Sequence, residues 1–278
     1  MRETEMRLTE ISTALDSVRA RLAAACLAAG REVSDVALLP VTKFFPASDA
    51  RILYELGCRE FGESREQEAV EKVADFDGAA QTGAIDDPVR WHMIGQLQRN
   101  KARSVAKWAY AIHSVDSARL ADALDRAALS ALSDGERTKP LRALIQVSLD
   151  GDPARGGVPT GELTPLAERI ESAEGLEFAG LMAVPPLGSD PDEQFEILRS
   201  TSFDPRIASP GNRTLGRHDR RSGGCSAPRI NLRACRNRTA RLTTSNLEVI
   251  AQVIAQPVHT AATGRSRIDS AAPRKVDQ

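Results

Sequence analysis

A chain of 278 residues with 37 basic and 38 acidic side chains can make one large domain or two small ones, and it has no charge excess to draw it to nucleic acid or to a membrane surface. No run is apolar enough to span a bilayer, and Met1-Arg-Glu-Thr-Glu5 lacks the basic-then-apolar order of a secretion signal. Cys26, Cys58, Cys225 and Cys235 are scattered without metal-ligand spacing, so a reduced, cytoplasmic chain without structural disulfides is expected.

Over residues 5–29, Leu8, Ile11, Leu15, Val18, Leu22 and Cys26 recur at three-and-four spacing, which predicts an amphipathic helix stopped by Gly30. Val36-Ala-Leu-Leu-Pro-Val-Thr-Lys43 is too short and aliphatic for a helix and reads as a strand buried on both faces, with a lysine at its C-terminal end. Two phenylalanines and Pro46 follow, and apolar surroundings favour the neutral amine that attacks an aldehyde to form an imine. The plain alternative is a surface lysine closing a strand. Ser48 is placed to cap a helix carrying Ile52, Leu53 and Leu56, with Gly57 as its stop. Residues 60–63 form a short strand, and Ser64-Arg-Glu-Gln67 has capping-box spacing for the next helix. A loop is expected over 77–89, a third strand over 91–95 and a helix over 97–107. A fourth strand at 110–114, a helix at 116–132 and a fifth strand at 141–147 follow. The glycine-rich loop from Asp150 to Gly157 lacks the G-K-[ST] ending of a nucleotide loop. A helix at 162–172, a sixth strand at 176–182 and a helix at 191–199 complete the regular part.

Six strand–helix units in succession predict an α/β protein with a parallel sheet. No G-x-G-x-x-G follows the first strand, and the units are short and even, which favours a (β/α)8 TIM-barrel type over a doubly wound sheet. Barrel sites lie at the C-terminal strand ends, where Lys43, Glu63, Gly95 and Met182 fall.

The texture changes after residue 200. Residues 201–241 hold ten arginines, no lysine and two acids, and no apolar period survives. A disordered basic tail is one reading; a segment out of frame is the sharper one. Joining the last two bases of each codon to the first of the next, from Thr214 to Leu242, permits the string LSAGMTGDLEVAVRHGSTCVRVGTALLG. That string reads as a strand, a Gly/Ser turn, a helix and a second strand, the two units a six-unit barrel lacks. The expected organisation is a barrel over 1–200, an out-of-frame irregular stretch over 201–241 and an unassigned tail over 242–278, with a short helix near 246–255.

LLPVTKFFP, FGESREQEA, WHMIGQLQRNKA, HSVDSARLA, LIQVSLDG and GLMAVPP stand in order over about residues 5–199. In this set the chain resembles the pyridoxal-phosphate homeostasis proteins (YggS type), which share the barrel of the alanine racemase N-terminal domain. FGES stands where FGEN is commoner, as in the actinobacterial branch. The resemblance implies an incomplete (β/α)8 barrel, strands seven and eight being lost to the odd segment. It implies pyridoxal 5′-phosphate as the cofactor and partner, held as a Schiff base on Lys43, and a role in cofactor homeostasis without turnover. Ser64 stands where the family has an asparagine near the cofactor, though a helix cap is the plainer role. His92, on a strand, is a cofactor-facing candidate or a packed histidine. Ser148 and Met182 end strands five and six and line the ring or simply pack. Glu63 could pair with Lys43 or another base, and Arg99-Asn-Lys101 reads as a solvated helix face. In the family, the turn after strand seven, the Gly-Thr after strand eight and an arginine on strand eight hold the phosphate and approach the pyridine nitrogen. Gly223-Gly224 and Arg233 lack the matching context and do not take those roles. The alternatives are an amino acid racemase-like enzyme and a non-functional remnant. Racemases bring a tyrosine base on a second, β-rich domain, whereas this chain has only Tyr54 and Tyr110.

Overall fold

A computed structural model describes residues 2–202 and 254–255. The elements run α1 (Arg2–Ala28), β1 (Val36–Ala37), α2 (Ala47–Glu55), β2 (Glu60–Glu63), α3 (Glu66–Gln81), β3 (Arg90–Met93), α4 (Ala102–Trp108), β4 (Ala111–Val115), α5 (Ala118–Ser133), β5 (Leu141–Gln146), α6 (Leu163–Glu171), β6 (Leu176–Met182), α7 (Pro191–Ser202) and β7 (Ile254–Ala255).

Strands β2 to β6 are parallel and lie in sequence order. A parallel bridge between Val41 and Gly62 sets the segment before Lys43 beside β2. Six consecutive strands therefore lie side by side, each next to its predecessor. That is the order of a barrel wall; a doubly wound sheet would reverse at a switch point. The first strand is shorter than expected over 36–43. Pro40 has no N–H to give a ladder, and only Val36 and Ala37 are regular, paired antiparallel with Ile254 and Ala255. The extended pair at 254–255 corrects the helix expected to run to 255. The rest of the expected out-of-frame segment and tail lies outside the described residues.

Strand periodicity sorts the side chains. Phe61 and Trp91 face the helices, where they meet Phe76 of α3 and Ile11 and Leu15 of α1. Met93, Ile112, Leu141 and Ile145 do the same against α4, α5 and α6. The alternate residues line the inner face, where Ala111, Leu144, Ala179 and Met182 pack together. At the N-terminal end of the strands a polar ladder crosses this face. Glu60 pairs with Arg90 at 2.6 Å. The ring of Tyr110 has Arg90 and Arg142 at 5.3 and 5.2 Å from its centroid. Arg142 donates to the Tyr110 hydroxyl at 2.8 Å and meets Glu177 at 3.3 Å. Two arginines flank Tyr110 and an acid closes each end, so opposite charges meet on neighbouring strands at both ends of the ladder, which favours this strand register.

The helices obey their sequence signals unevenly. On α5, Ser117 accepts from the Leu120 N–H, and Leu120, Leu124, Ala127, Ala128 and Ala131 form the buried stripe. Gly30 and Gly57 end α1 and α2 at φ 64 and 90, where a side chain would be strained. The caps expected of Ser48 and Ser64 are not made. Pro46 precedes α2 and Arg65 precedes α3, neither with a side-chain cap. Proline at the boundary already sets the φ that starts α2, and Ser64 lies in the bend between β2 and α3, one residue short of the position next to the helix. Helix α3 runs to Gln81, into the loop expected from 77, because Phe76 and Ala79 are buried against the sheet. Residues 97–107 divide into a 3-10 turn at Arg99–Lys101 and α4. No helix among the described residues is long and apolar enough to cross a membrane.

Candidate functional site

Lys43 stands two residues past the Val41–Gly62 bridge, at the C-terminal rim. The chain turns there, with Phe45 N–H donating to the Thr42 carbonyl at 3.1 Å. Phe44 takes φ 67, the one positive φ outside glycine among the described residues. For a residue with a Cβ that conformation costs about 1–2 kcal/mol, and strain of this kind gathers at functional sites. Phe44 is 62% exposed, so it does not bury the amine as the sequence suggested. Lys43 is half-buried. Its Nζ lies 5.8 Å from the Phe44 ring centroid, and among the described residues it has no hydrogen bond or ion pair. The guanidinium of Arg65 lies 4.6 Å from the centroid of the same ring.

Beneath this turn lies a buried ion pair. Lys72 Nζ donates to Glu63 Oε1 at 2.7 Å and to the Thr42 carbonyl at 2.6 Å. The Thr42 hydroxyl donates to the same Glu63 oxygen at 2.6 Å. Glu63 is fully buried and Lys72 nearly so. Glu63 therefore pairs with Lys72 and not with Lys43. Removing one partner would strand a buried charge, a loss of about 3–5 kcal/mol. Glu63 Oε2 is buried without a hydrogen-bond partner.

His92 lies inside the barrel wall, and its Nδ1 is 2.9 Å from Nε2 of His113 on the next strand. Burial, then the charges of His113, Arg142 and Arg90, push His92 down to about 2. Burial and Arg142 push His113 down to about 4. Both rings are thus neutral near pH 7. Glu60 lies 3.7 Å from His92 Nε2, beyond hydrogen-bond reach, and that nitrogen has no hydrogen-bond partner among the described residues; the nearby carboxylate favours the tautomer that carries the proton there. His113 Nε2–H then donates to His92 Nδ1, and His113 Nδ1 is left as an unpaired acceptor.

The other expected residues divide. Ser64 follows the last residue of β2 at the rim, and its backbone fills the place where a Cβ on Gly95 would stand, so only glycine fits at 95. Ser148 is spent locally: its hydroxyl accepts from Gly151 N–H at 3.1 Å and its N–H donates to Val158. Met182 is 4% exposed and packs on the inner face with Leu144 and Ala179. Two clefts open at the C-terminal ends of the strands. One, of about 590 Å³, lies between the loop after β3 and the start of α5 and includes Arg99 and Arg119. The other, of about 340 Å³, includes Ser148 and Arg155. Arg99 is exposed, as expected of a solvated face. Among the described residues no cluster of three His, Cys, Asp or Glu could hold a metal. Sequence reasoning missed Lys72, Glu68 and His113. Lys72 looks like any basic residue on a helix, but His113 was findable, since it sits mid-strand on the neighbour of the strand carrying His92.

The sequence matches the family profile for the alanine racemase N-terminal domain over residues 15–211. A pyridoxal phosphate homeostasis protein of Mycobacterium tuberculosis is 52% identical over 200 residues, 70% of this chain and 77% of the relative. The structure of an unknown protein from Bifidobacterium adolescentis superposes with TM-score 0.62 at 31% identity, covering 70% of this chain and 79% of that one. PipY of Synechococcus elongatus, solved with PLP bound, superposes with TM-score 0.52 at 32% identity, covering 66% of this chain and 79% of PipY.

Proposed function

The chain belongs to the pyridoxal phosphate homeostasis family, built on the alanine racemase N-terminal domain, and from this we propose that it binds pyridoxal 5′-phosphate at Lys43 and serves to hold it, without turnover. The observation that carries the reading is the state of that lysine. Its amine stands at the rim without an ion pair among the described residues, while the buried carboxylate of Glu63 beneath the turn is already paired with Lys72. When bound, the cofactor supplies an aldehyde that a primary amine traps and a ring that draws electrons. Lys43 supplies the amine. Ser64, on the neighbouring strand end, offers a polar group at the same rim. His92 and Met182 line the wall below, and His92 keeps its proton toward Glu60. Ser148 borders the adjoining cleft.

Both tyrosines are engaged away from the rim, which supports the absence of turnover. Tyr54 accepts from Asp87 N–H and donates to the Asp87 carbonyl, with Arg59 over its ring. Tyr110 belongs to the ladder at the opposite end of the strands. Neither stands where a base could face a cofactor on Lys43. We place the protein in the cytoplasm, where the buried thiols of Cys26 and Cys58 stay reduced.

The resemblance puts the phosphate donors of the family on strands seven and eight. We infer that residues 1–200 form the barrel and that residues 201–241 are read out of frame, which removes those donors from this copy. The nucleotide sequence tests this directly, since codons that forbid the shifted string would end the idea. Binding itself is tested by adding pyridoxal 5′-phosphate to the full chain and recording its visible absorbance. A band of bound cofactor in the wild type, absent in Lys43→Ala, is the expected result. An identical spectrum from the variant would remove Lys43 from the site.

A further inference from the structure

Helix α3 reaches the turn that carries Lys43 from two successive helical turns, four residues apart. Glu68 Oε2 accepts the Phe44 N–H at 3.2 Å. Lys72 Nζ donates to the Thr42 carbonyl at 2.6 Å. The peptide groups on both sides of Lys43 are thereby held by one face of one helix. Each holder is itself fixed. Lys72 is locked to Glu63 in the buried pair, and Glu68 is ion-paired at 3.0 Å with Arg65, whose guanidinium covers the Phe44 ring. Thr42 has no freedom left: its N–H goes to Gly62, its carbonyl to Phe45 and Lys72, and its hydroxyl to Glu63. Phe44 is in a conformation that a non-glycine residue leaves unless something holds it there.

We infer that Glu68 and Lys72 are positioning residues for Lys43: they hold the 42–45 turn in its strained form, so that the amine is presented at the rim in one direction. This rests on the reading of Lys43 as the point of cofactor attachment, but the restraint on the turn stands on geometry alone. Lys72 and Glu68 touch the backbone on either side of the lysine and not its amine. Their loss would therefore change how fast the lysine reacts, and would leave its identity as the reacting residue intact. Glu68 lies on the surface side of the turn, so its removal need not disturb the core. Lys72 lies in the core, where single removal would orphan Glu63.

The test uses the full chain as wild type, Glu68→Ala, Glu68→Gln and the double variant Glu63→Gln with Lys72→Met, which leaves no unpaired charge. Two readouts are taken on each. The first is hydrogen exchange at the Phe44 amide. The second is the rate at which pyridoxal 5′-phosphate becomes fixed to Lys43 on borohydride reduction, located by peptide mass spectrometry. Glu68→Ala is expected to speed exchange and slow fixation by about tenfold each, the scale of one lost hydrogen bond to a charged acceptor, with the unfolding midpoint unchanged. Glu68→Gln keeps an acceptor oxygen but loses the charge and the Arg65 pair, and should fall between wild type and Glu68→Ala. The double variant should slow fixation at Lys43 without moving it to another lysine. Unchanged Phe44 exchange in Glu68→Ala overturns the restraint even if no cofactor is fixed. Faster exchange with wild-type fixation overturns the positioning role. No fixation in wild type, with exchange responding as expected, strikes the attachment reading and the role built on it, and leaves the restraint standing.

Discussion

At the scale of single residues, the chemistry of this protein is set by which charges are matched and which are left free. A buried carboxylate beside a lysine at a strand end invites the pairing of the two. The structure gives Glu63 to Lys72 instead, and the amine of Lys43 has no ion pair among the described residues. His92 and His113 are matched to each other as neutral rings, and this has a consequence for stability. Their folded pKa values, about 2 and about 4, lie below the ordinary histidine value of about 6.5. As pH falls below about 6.5 the unfolded chain takes up protons that the folded chain refuses, so stability present at neutral pH is lost on acidification. Each histidine contributes a slope of roughly 1.4 kcal/mol per pH unit in that window. Denaturant unfolding between about pH 7 and 5 should show the decline, and His113→Asn should flatten it. A stability that is level over this range would refute the neutral buried pair.

Among the elements, the helices show how local signals fare when packing competes. Ser117 caps α5, which begins two residues after the expected 116, because the loop from β4 leaves its hydroxyl over the first turn. Replacing it with alanine should cost about 1 kcal/mol of stability, read as a lowered unfolding midpoint with the m-value unchanged. Ser64 and Ser48 have the same cap chemistry and do not use it. The helix after Ser64 begins one residue later than a cap at Ser64 would set it, since Ile94 N–H bonds the Glu63 carbonyl and keeps β2 extended to the rim. A functional residue on this stretch is therefore strand-end chemistry, which is what a barrel mouth requires. The 3-10 turn before α4 and the close approach of Gly95 to Ser64 belong to the same rim.

For the molecule as a whole, closure of the wall governs solubility. Among the described residues, β6 has a strand partner only in β5, while the first strand meets β2 and the short β7. A parallel wall with an open edge is a template for other chains. If residues 201–241 are out of frame, a gene recoded to the shifted string should give a more soluble, monodisperse chain than the present one, measured by the fraction remaining after centrifugation. Equal solubility of the two would count against the frame reading. The polar ladder from Glu60 to Glu177 already spans five strands, so the wall's register does not wait on closure.

The place of Lys43 at a strand end and the six repeats were legible in the sequence because they depend on local facts: an aliphatic run ending in lysine, and apolar periods of two and three-to-four with stops at Gly30 and Gly57. These depend on each segment's own backbone and side chains, so one dimension suffices to read them. The partner of Glu63, the hold of Glu68 and Lys72 on the turn, and the meeting of His92 with His113 were decided only in three dimensions. Each joins groups from different elements, and which polar group a buried charge finds is settled by how a helix lies on its sheet, a distance the order of residues does not encode.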